Sequence, residues 1–167
     1  MISVNKIYKT IRNIKYSKSF NKTQMFEYLK QRQAIIQQFK EQYPHKVFDN
    51  HKLFQRKANN LTLEGKPESL INNGIIKTKQ LKKNDLTSIS FADYIHIQGM
   101  LYVSKRNNCK YISYHQGNLL EQNIKQNKTM MEYIFSELNR VISKKAYKKS
   151  YKILLSKVLP ILEDDNL

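Results

Sequence analysis

Tryptophan is absent from these 167 residues, cysteine occurs once, proline three times and glycine four times. The lone Cys109 excludes an intramolecular disulfide and fits a reducing compartment. With so little glycine there is neither a glycine-rich linker nor a glycine loop of the kind that cradles phosphates. Acidic residues are scarce too: thirteen Asp and Glu face thirty Lys and Arg, a formal net charge of +17. The apolar stretches fall far short of the roughly 20 residues that a membrane-spanning helix requires, and no secretory apolar region is present.

What is there suffices for a core. Hydrophobic residues make up 40% of the chain and aromatics 11%, which argues against global disorder. A charge of +17 repels itself unless a polyanion neutralises it, so nucleic acid is the first partner expected and an anionic membrane surface the second. The first 26 residues hold Lys6, Lys9, Arg12, Lys15, Lys18 and Lys22, with no acid and with Ile2, Val4, Ile7, Ile11 and Ile14 interspersed. That pattern suits an amphipathic transit peptide or a basic arm lying along phosphates.

Hydrophobic spacing organises the rest. Met25, Leu29, Ile36, Phe39 and Tyr43 fall on one stripe of a helix that Pro44 ends. Asp49 is the expected N-cap of a second helix with Phe54, Ala58 and Leu61 inward. Pro67 and Glu68 open a third, which carries Leu70, Ile71, Ile75 and Leu81 inward and Lys77, Lys79, Lys82 and Lys83 outward. Between Phe91 and Gly117 the residues Ile, Tyr and Val alternate, which predicts a β-hairpin pairing 94–105 with 110–115 around Asn107-Asn108. Thr129-Met130-Met131-Glu132 is a capping box for a helix with Met131, Ile134, Leu138 and Val141 inward. A last helix holds Tyr147, Tyr151, Leu154, Val158 and Leu162. The expected fold is therefore mainly α: a basic arm at 1–20, a three-helix unit at 21–84, and a β-hairpin with a C-terminal helical pair at 85–167.

Candidate chemistry is sparse. No Gly-x-Ser-x-Gly and no pair of histidines on one helical turn is present, and a metal site needs three or four converging ligands. His45 and His51 lack such companions. His96 and His115 with Cys109 meet across the hairpin only as packing residues, and Asp93 near His96 is the one acid–base pair worth naming. No enzyme, cofactor or metal is expected. The segment 138–157 is more telling: Arg140, Lys144, Lys145, Lys148, Lys149, Lys152 and Lys157 are unopposed by acid, with Tyr147 and Tyr151 interleaved. Such lysines neutralise phosphates without reading sequence.

The three-helix unit resembles a homeodomain-like fold. Phe39-Lys-Glu-Gln-Tyr43-Pro44 is similar to that family's exit from its first helix, and SLINNGIIKTKQLKK stands where its recognition helix would. The resemblance implies that Asn72 or Asn73 reads adenine and that Lys77, Lys79, Lys82 and Lys83 hold backbone. The missing catalytic motifs and the basic segments point to a non-catalytic nucleic-acid-binding accessory subunit of a larger and possibly DNA-modifying complex, and the resemblance implies DNA rather than RNA and the nucleus. Tyr102 and Tyr111 of the hairpin are the expected contacts to protein subunits. The alternatives are a mitochondrial ribosomal protein and an accessory subunit of a mitochondrial membrane complex. For the latter, Ile7-Tyr-Lys-Thr-Ile-Arg resembles a Leu-Tyr-Arg helix.

Overall fold

The computed structural model describes residues 1–12, 22–42, 44, 47–49, 52–58, 60–80, 89–115, 118–144, 154, 156 and 157. The fold is α/β. Among the described residues four helices, α1 (Ile7–Arg12), α2 (Lys22–Gln42), α3 (Phe91–Ser104) and α4 (Lys128–Lys144), accompany eight strands and a 3₁₀ turn at Val4–Lys6. β1 (Ile2–Ser3), β4 (Leu61–Gly65) and β3 (Phe54–Ala58) form a small sheet in that order. The larger sheet runs β2 (Val47–Asp49), β5 (Ser69–Ile71), β6 (Gly74–Gln80), β7 (Asn108–His115) and β8 (Asn118–Lys125). Its one parallel pair is β6–β7, joined by α3 in a βαβ crossover.

β6 shows why the chain folds this way. Ile75 faces a core of α3, α4 and the N-terminal segment, while Ile76 faces Ile35 and Phe39 of α2 on the opposite side. Adjacent apolar residues buried on opposite faces are the mark of a strand covered by helices on both sides. The same residues at 70, 71, 75 and 81 satisfy a helical stripe, which is how the segment misleads. Asn72-Asn73 closes a tight β5–β6 turn, with Asn72 at φ 40°, a backbone state asparagine tolerates.

The three-helix unit is thus overturned. Only its first helix stands; the segments read as a second helix and a recognition helix are β2–β4 and β5–β6. In β3 the inward residues Phe54 and Ala58 are four apart, an even number that suits a strand as well as a helix. The mainly α reading fails again at the predicted hairpin, whose first arm is α3. Ten of that helix's fourteen residues are buried. A helix wrapped on all sides loses its polar face and with it the 3.6-residue signal. Ser90 caps its start, accepting from the Asp93 N–H, and Lys105 in the left-handed region ends it as Arg106 N–H reaches Leu101 O (3.1 Å).

α4 matches its predicted stripe: Met131, Ile134, Leu138 and Val141 are all buried. Its cap lies two residues earlier than the capping box implied, since Asn127 Oδ1 accepts from Met130 N–H (2.9 Å). Buried Gln98 of α3 locks this corner, donating to Lys125 O (2.9 Å) and accepting from Asn127 N–H (2.8 Å). The N-terminal segment is integral to the core: Val4, Ile7 and Ile11 are fully buried, and β1 pairs with β4. Leu154 also reaches that core and Ser156 and Lys157 are helical, while the other residues of the last predicted helix lie outside the described residues.

Val4 and Ile7 approach α3 through Gly99, where an added Cβ would lie 2.8 Å from Val4 Cγ1 and 3.0 Å from Ile7 Cδ1. Gly→Ala inside a helix ordinarily stabilises by up to about 1 kcal/mol. Here Gly99→Ala is expected to destabilise by about 1–3 kcal/mol through overpacking. Urea unfolding followed by circular dichroism checks the sign.

Candidate functional site

Charge enters β6 only after its apolar start, at Lys77 and Lys79. Both extend towards α3 on the face that Ile75 occupies, because side chains alternate along a strand. Glu68, the residue before β5, sits opposite Lys77 across the antiparallel pair and accepts from its Nζ at 2.7 Å. The other carboxylate oxygen of Glu68 accepts from Thr78 N–H and Thr78 Oγ1, both at 2.8 Å. Lys77 and Glu68 expose only 13% and 10% of their side chains, so this ion pair is largely withdrawn from water. Lys79 reaches Asp93 at 3.0 Å, and the Ser90 hydroxyl donates to the same carboxylate at 2.6 Å. The cap of α3 therefore supplies the second acid.

Glu68 and Lys77 border a cleft of about 160 Å³. Tyr28 and Arg32 of α2, Lys66, Glu68, Lys77 and His96 line it, with Asn5 from the N-terminal turn. Arg32 Nε is shielded there and finds no acceptor among the described residues.

The charges set the protonation states. Burial works against the Lys77 ammonium, yet Glu68, Tyr28 and Asp93 outweigh it and hold the pKa above the ordinary lysine value. His96 goes the other way: burial first, and then the Lys77 ammonium, push its pKa down to about 4, against smaller opposing pulls from Glu68 and Asp93. Its imidazole is neutral at neutral pH. Burial also drives the Cys109 thiol far above its usual range, so this cysteine is an inert core residue.

Enzymes that cut phosphodiesters often hold two divalent ions on carboxylates about 3.5–4 Å apart. The residues here do not fit such a centre. Among the described residues no three His, Cys, Asp or Glu side chains converge on a metal position, and both nearby acids are engaged, Glu68 by Lys77 and Thr78 and Asp93 by Lys79 and Ser90.

The predicted site residues scatter. Lys77 lines the cleft and Lys79 pairs with Asp93, whereas Asn72 and Asn73 lie exposed at the far turn of β6, beside Asn108, Lys110 and Lys125. Arg140 is bound within α4 by Glu137, at 2.5 and 3.0 Å. Lys144 ends α4. Lys82, Lys83, Lys145, Lys148, Lys149 and Lys152 lie outside the described residues. Tyr102 is on α3, half-buried, with its ring edge-on to Phe135 at 4.9 Å and the Arg56 guanidinium 4.1 Å from its centre. Tyr111, 1% exposed, is closed inside the core. Glu68 and Arg32 escaped sequence reasoning, although Asn72-Asn73-Gly74 between apolar residues was a hairpin signal that would have set Glu68 beside Lys77.

No protein-family model matches the sequence, and neither does any curated protein. Solved structures do share the fold. LHK-Exo in complex with dAMP aligns with a TM-score of 0.63 and 10% identity, covering 98% of this chain and 92% of that one. An alkaline exonuclease, LHK-Exo from Laribacter hongkongensis, gives 0.61 and 11%, covering 95% and 93%. A phage-related exonuclease from Haemophilus somnus gives 0.54 and 10%, covering 93% and 83%. The fold is shared with these exonucleases, which corrects both the homeodomain-like resemblance and the non-catalytic accessory-subunit reading. The ribosomal and membrane-complex alternatives find no support either. Among the described residues no helix is long and apolar enough to cross a membrane. The expectation of no enzyme rested on missing local motifs and is corrected by the exonucleases among the structures with this fold; the polar groups here meet through strand pairing and a helix cap instead.

Neutral His96 gives a test of the cleft's electrostatics. A histidine whose pKa falls from 6.5 to about 4 on folding contributes stability that is complete above pH 6.5 and is lost as pH falls towards 4. His96→Gln is therefore expected to lose less stability than the native chain between pH 7 and pH 4.5. Thermal melts at the two pH values measure the difference, and the variant's carboxylates, shared with the native chain, cancel in the comparison.

Proposed function

We propose that this chain is a nuclease-type enzyme acting on nucleic acid, DNA in the first instance, with the cleft between β5–β6 and α3 holding the sugar–phosphate backbone. The observation that carries this reading is the cleft in which Lys77, Lys66 and Arg32 meet a neutral His96, with Lys79 on Asp93 nearby, in a fold shared with exonucleases. Glu68 and Asp93 each already engage a lysine, so the cleft presents cationic donors to an incoming anion. A charge of +17 over the whole chain supports polyanion binding from a distance. The dAMP bound by one of the exonucleases sharing this fold favours a deoxynucleotide ligand.

The reaction class is phosphodiester hydrolysis. Water attacks phosphorus and gives up its proton to solvent, the bond to one ester oxygen breaks, and that oxygen leaves with a proton taken from solvent. His96, uncharged at neutral pH, is suited to orient the water by accepting a hydrogen bond, and the lysines and Arg32 to stabilise the charge gathering on the phosphoryl oxygens. Lys79→Ala and His96→Ala are each expected to slow release of nucleotides from end-labelled DNA by about 10²-fold or more. Mononucleotide release by the folded native chain, with and without added divalent ions, is the measurement. DNA and RNA that both stay intact at protein excess, single- or double-stranded, would overturn the hydrolytic reading.

A further inference from the structure

The far turn of the β5–β6 hairpin gathers a residue type that the phosphate reading of the cleft leaves unused. Asn72 and Asn73 at the turn, Asn108 at the start of β7 and Asn123 near the end of β8 frame a second, open hollow of about 410 Å³. Small-molecule pockets run from roughly 300 to 1,000 Å³, a range the cleft, at about 160 Å³, does not reach. All four asparagines are exposed, and among the described residues none of their side-chain amides has a hydrogen-bond partner. Their frame, by contrast, is fixed by backbone. Asn107 N–H donates to Asn73 O (3.1 Å), Gln126 N–H to Asn107 O (2.8 Å) and the Arg106 guanidinium to Asn72 O. A Cβ on Gly74 would lie 2.8 Å from Asn108 O, so glycine is what lets the start of β6 come this close to β7. Asn-Asn-Gly thus closes the turn and also holds free amides around one hollow.

A carboxamide sets a donor beside an acceptor, which is the complement of a nucleobase edge. Ile71 and Gly74 line the hollow between the amides and offer apolar contact to a flat ring. Of its two lysines, Lys110 is held by Glu121 at 2.9 Å, whereas Lys125 is exposed and has no ion pair among the described residues. We propose that this hollow is a second nucleic-acid site, which takes an unpaired base by its edge through the asparagine amides, with Lys125 on a neighbouring phosphate. The reacting phosphate stays with the cleft. A base inside a duplex already spends its pairing edge, so the hollow favours single strands. The class of ligand rests on the reading of this chain as a nucleic-acid enzyme, but binding is measured apart from hydrolysis.

Fluorescence anisotropy of the full chain with two labelled single strands of equal length tests it: a short oligodeoxynucleotide, and the same backbone with abasic residues throughout. EDTA is present, and gels establish that the strands stay whole. The native chain is expected to bind the base-bearing strand about 10-fold more tightly or better, the scale of one good pair of hydrogen bonds to a base edge. The Asn108→Ala, Asn123→Ala double variant is expected to lose that preference and to keep its affinity for the abasic strand. Lys125→Gln is expected to weaken both strands, because phosphates carry no base information. Circular dichroism establishes that each variant is folded, and Asn73→Ala carries the test should the double variant not fold. Equal affinity of the native chain for the two strands would overturn the base site and leave the nucleic-acid reading standing, as would a preference that survives the asparagine changes. A matching fall in duplex affinity would overturn the assignment to an unpaired base. Binding of neither strand would overturn both readings. An asparagine-dependent preference in a chain that never cuts DNA would uphold the base site and count against hydrolysis.

Discussion

Everything in this molecule turns on a strand that must be dry on both sides. β6 has α2 against one face and α3 against the other, and Ile75 and Ile76 meet those demands in consecutive residues. A strand so enclosed can carry charge only where each charge finds a partner, since a lone ion withdrawn from water is costly. Lys77 and Lys79 satisfy that condition through Glu68, set opposite by the β5–β6 turn, and Asp93, set by the cap of α3. The cleft is thus a consequence of the sheet's construction. Breaking one partner of a pair as shielded as Glu68–Lys77 typically costs about 3–5 kcal/mol, so fold and site are not separable here.

The same geometry decides what the cleft offers a ligand. Three cationic side chains, Arg32, Lys66 and Lys77, line the cleft against the single carboxylate of Glu68, and the Lys79–Asp93 pair stands apart from its lining. The local balance is positive, in a chain that is positive overall. A neutral imidazole at this point follows from the same imbalance: with burial and a nearby ammonium pressing in one direction, His96 keeps its lone pair at neutral pH. Such a group can accept a hydrogen bond where the surrounding lysines can only donate.

How much of this could be read from the chain varies by element, for physical reasons. α2 and α4 were legible because each keeps a wet face, leaving a 3.6-residue stripe in the sequence. α3 was not, because burial on nearly all sides replaced the stripe with a run of Ile, Tyr, Met and Val. β3 and β6 were read as helices because residues spaced four apart fit either period. Of the candidate site, Lys77 and Lys79 were named for charge and Asp93 with His96 for proximity, but Glu68 was seen only as a helix-dipole residue. Bringing these five together requires the β5–β6 register and the α3 crossover, which are long-range facts that no local pattern contains. Tyr111, chosen for a surface, sits in the core because β7 is central rather than an edge.

A high-resolution structure of the chain with dAMP tests the central claim most directly. The expected result is a phosphate between Arg32, Lys66 and His96, with the Lys77 ammonium still on Glu68. A phosphate bound instead along α4 or at the Asn72-Asn73 turn, or a divalent ion displacing Lys77 from Glu68, would contradict it.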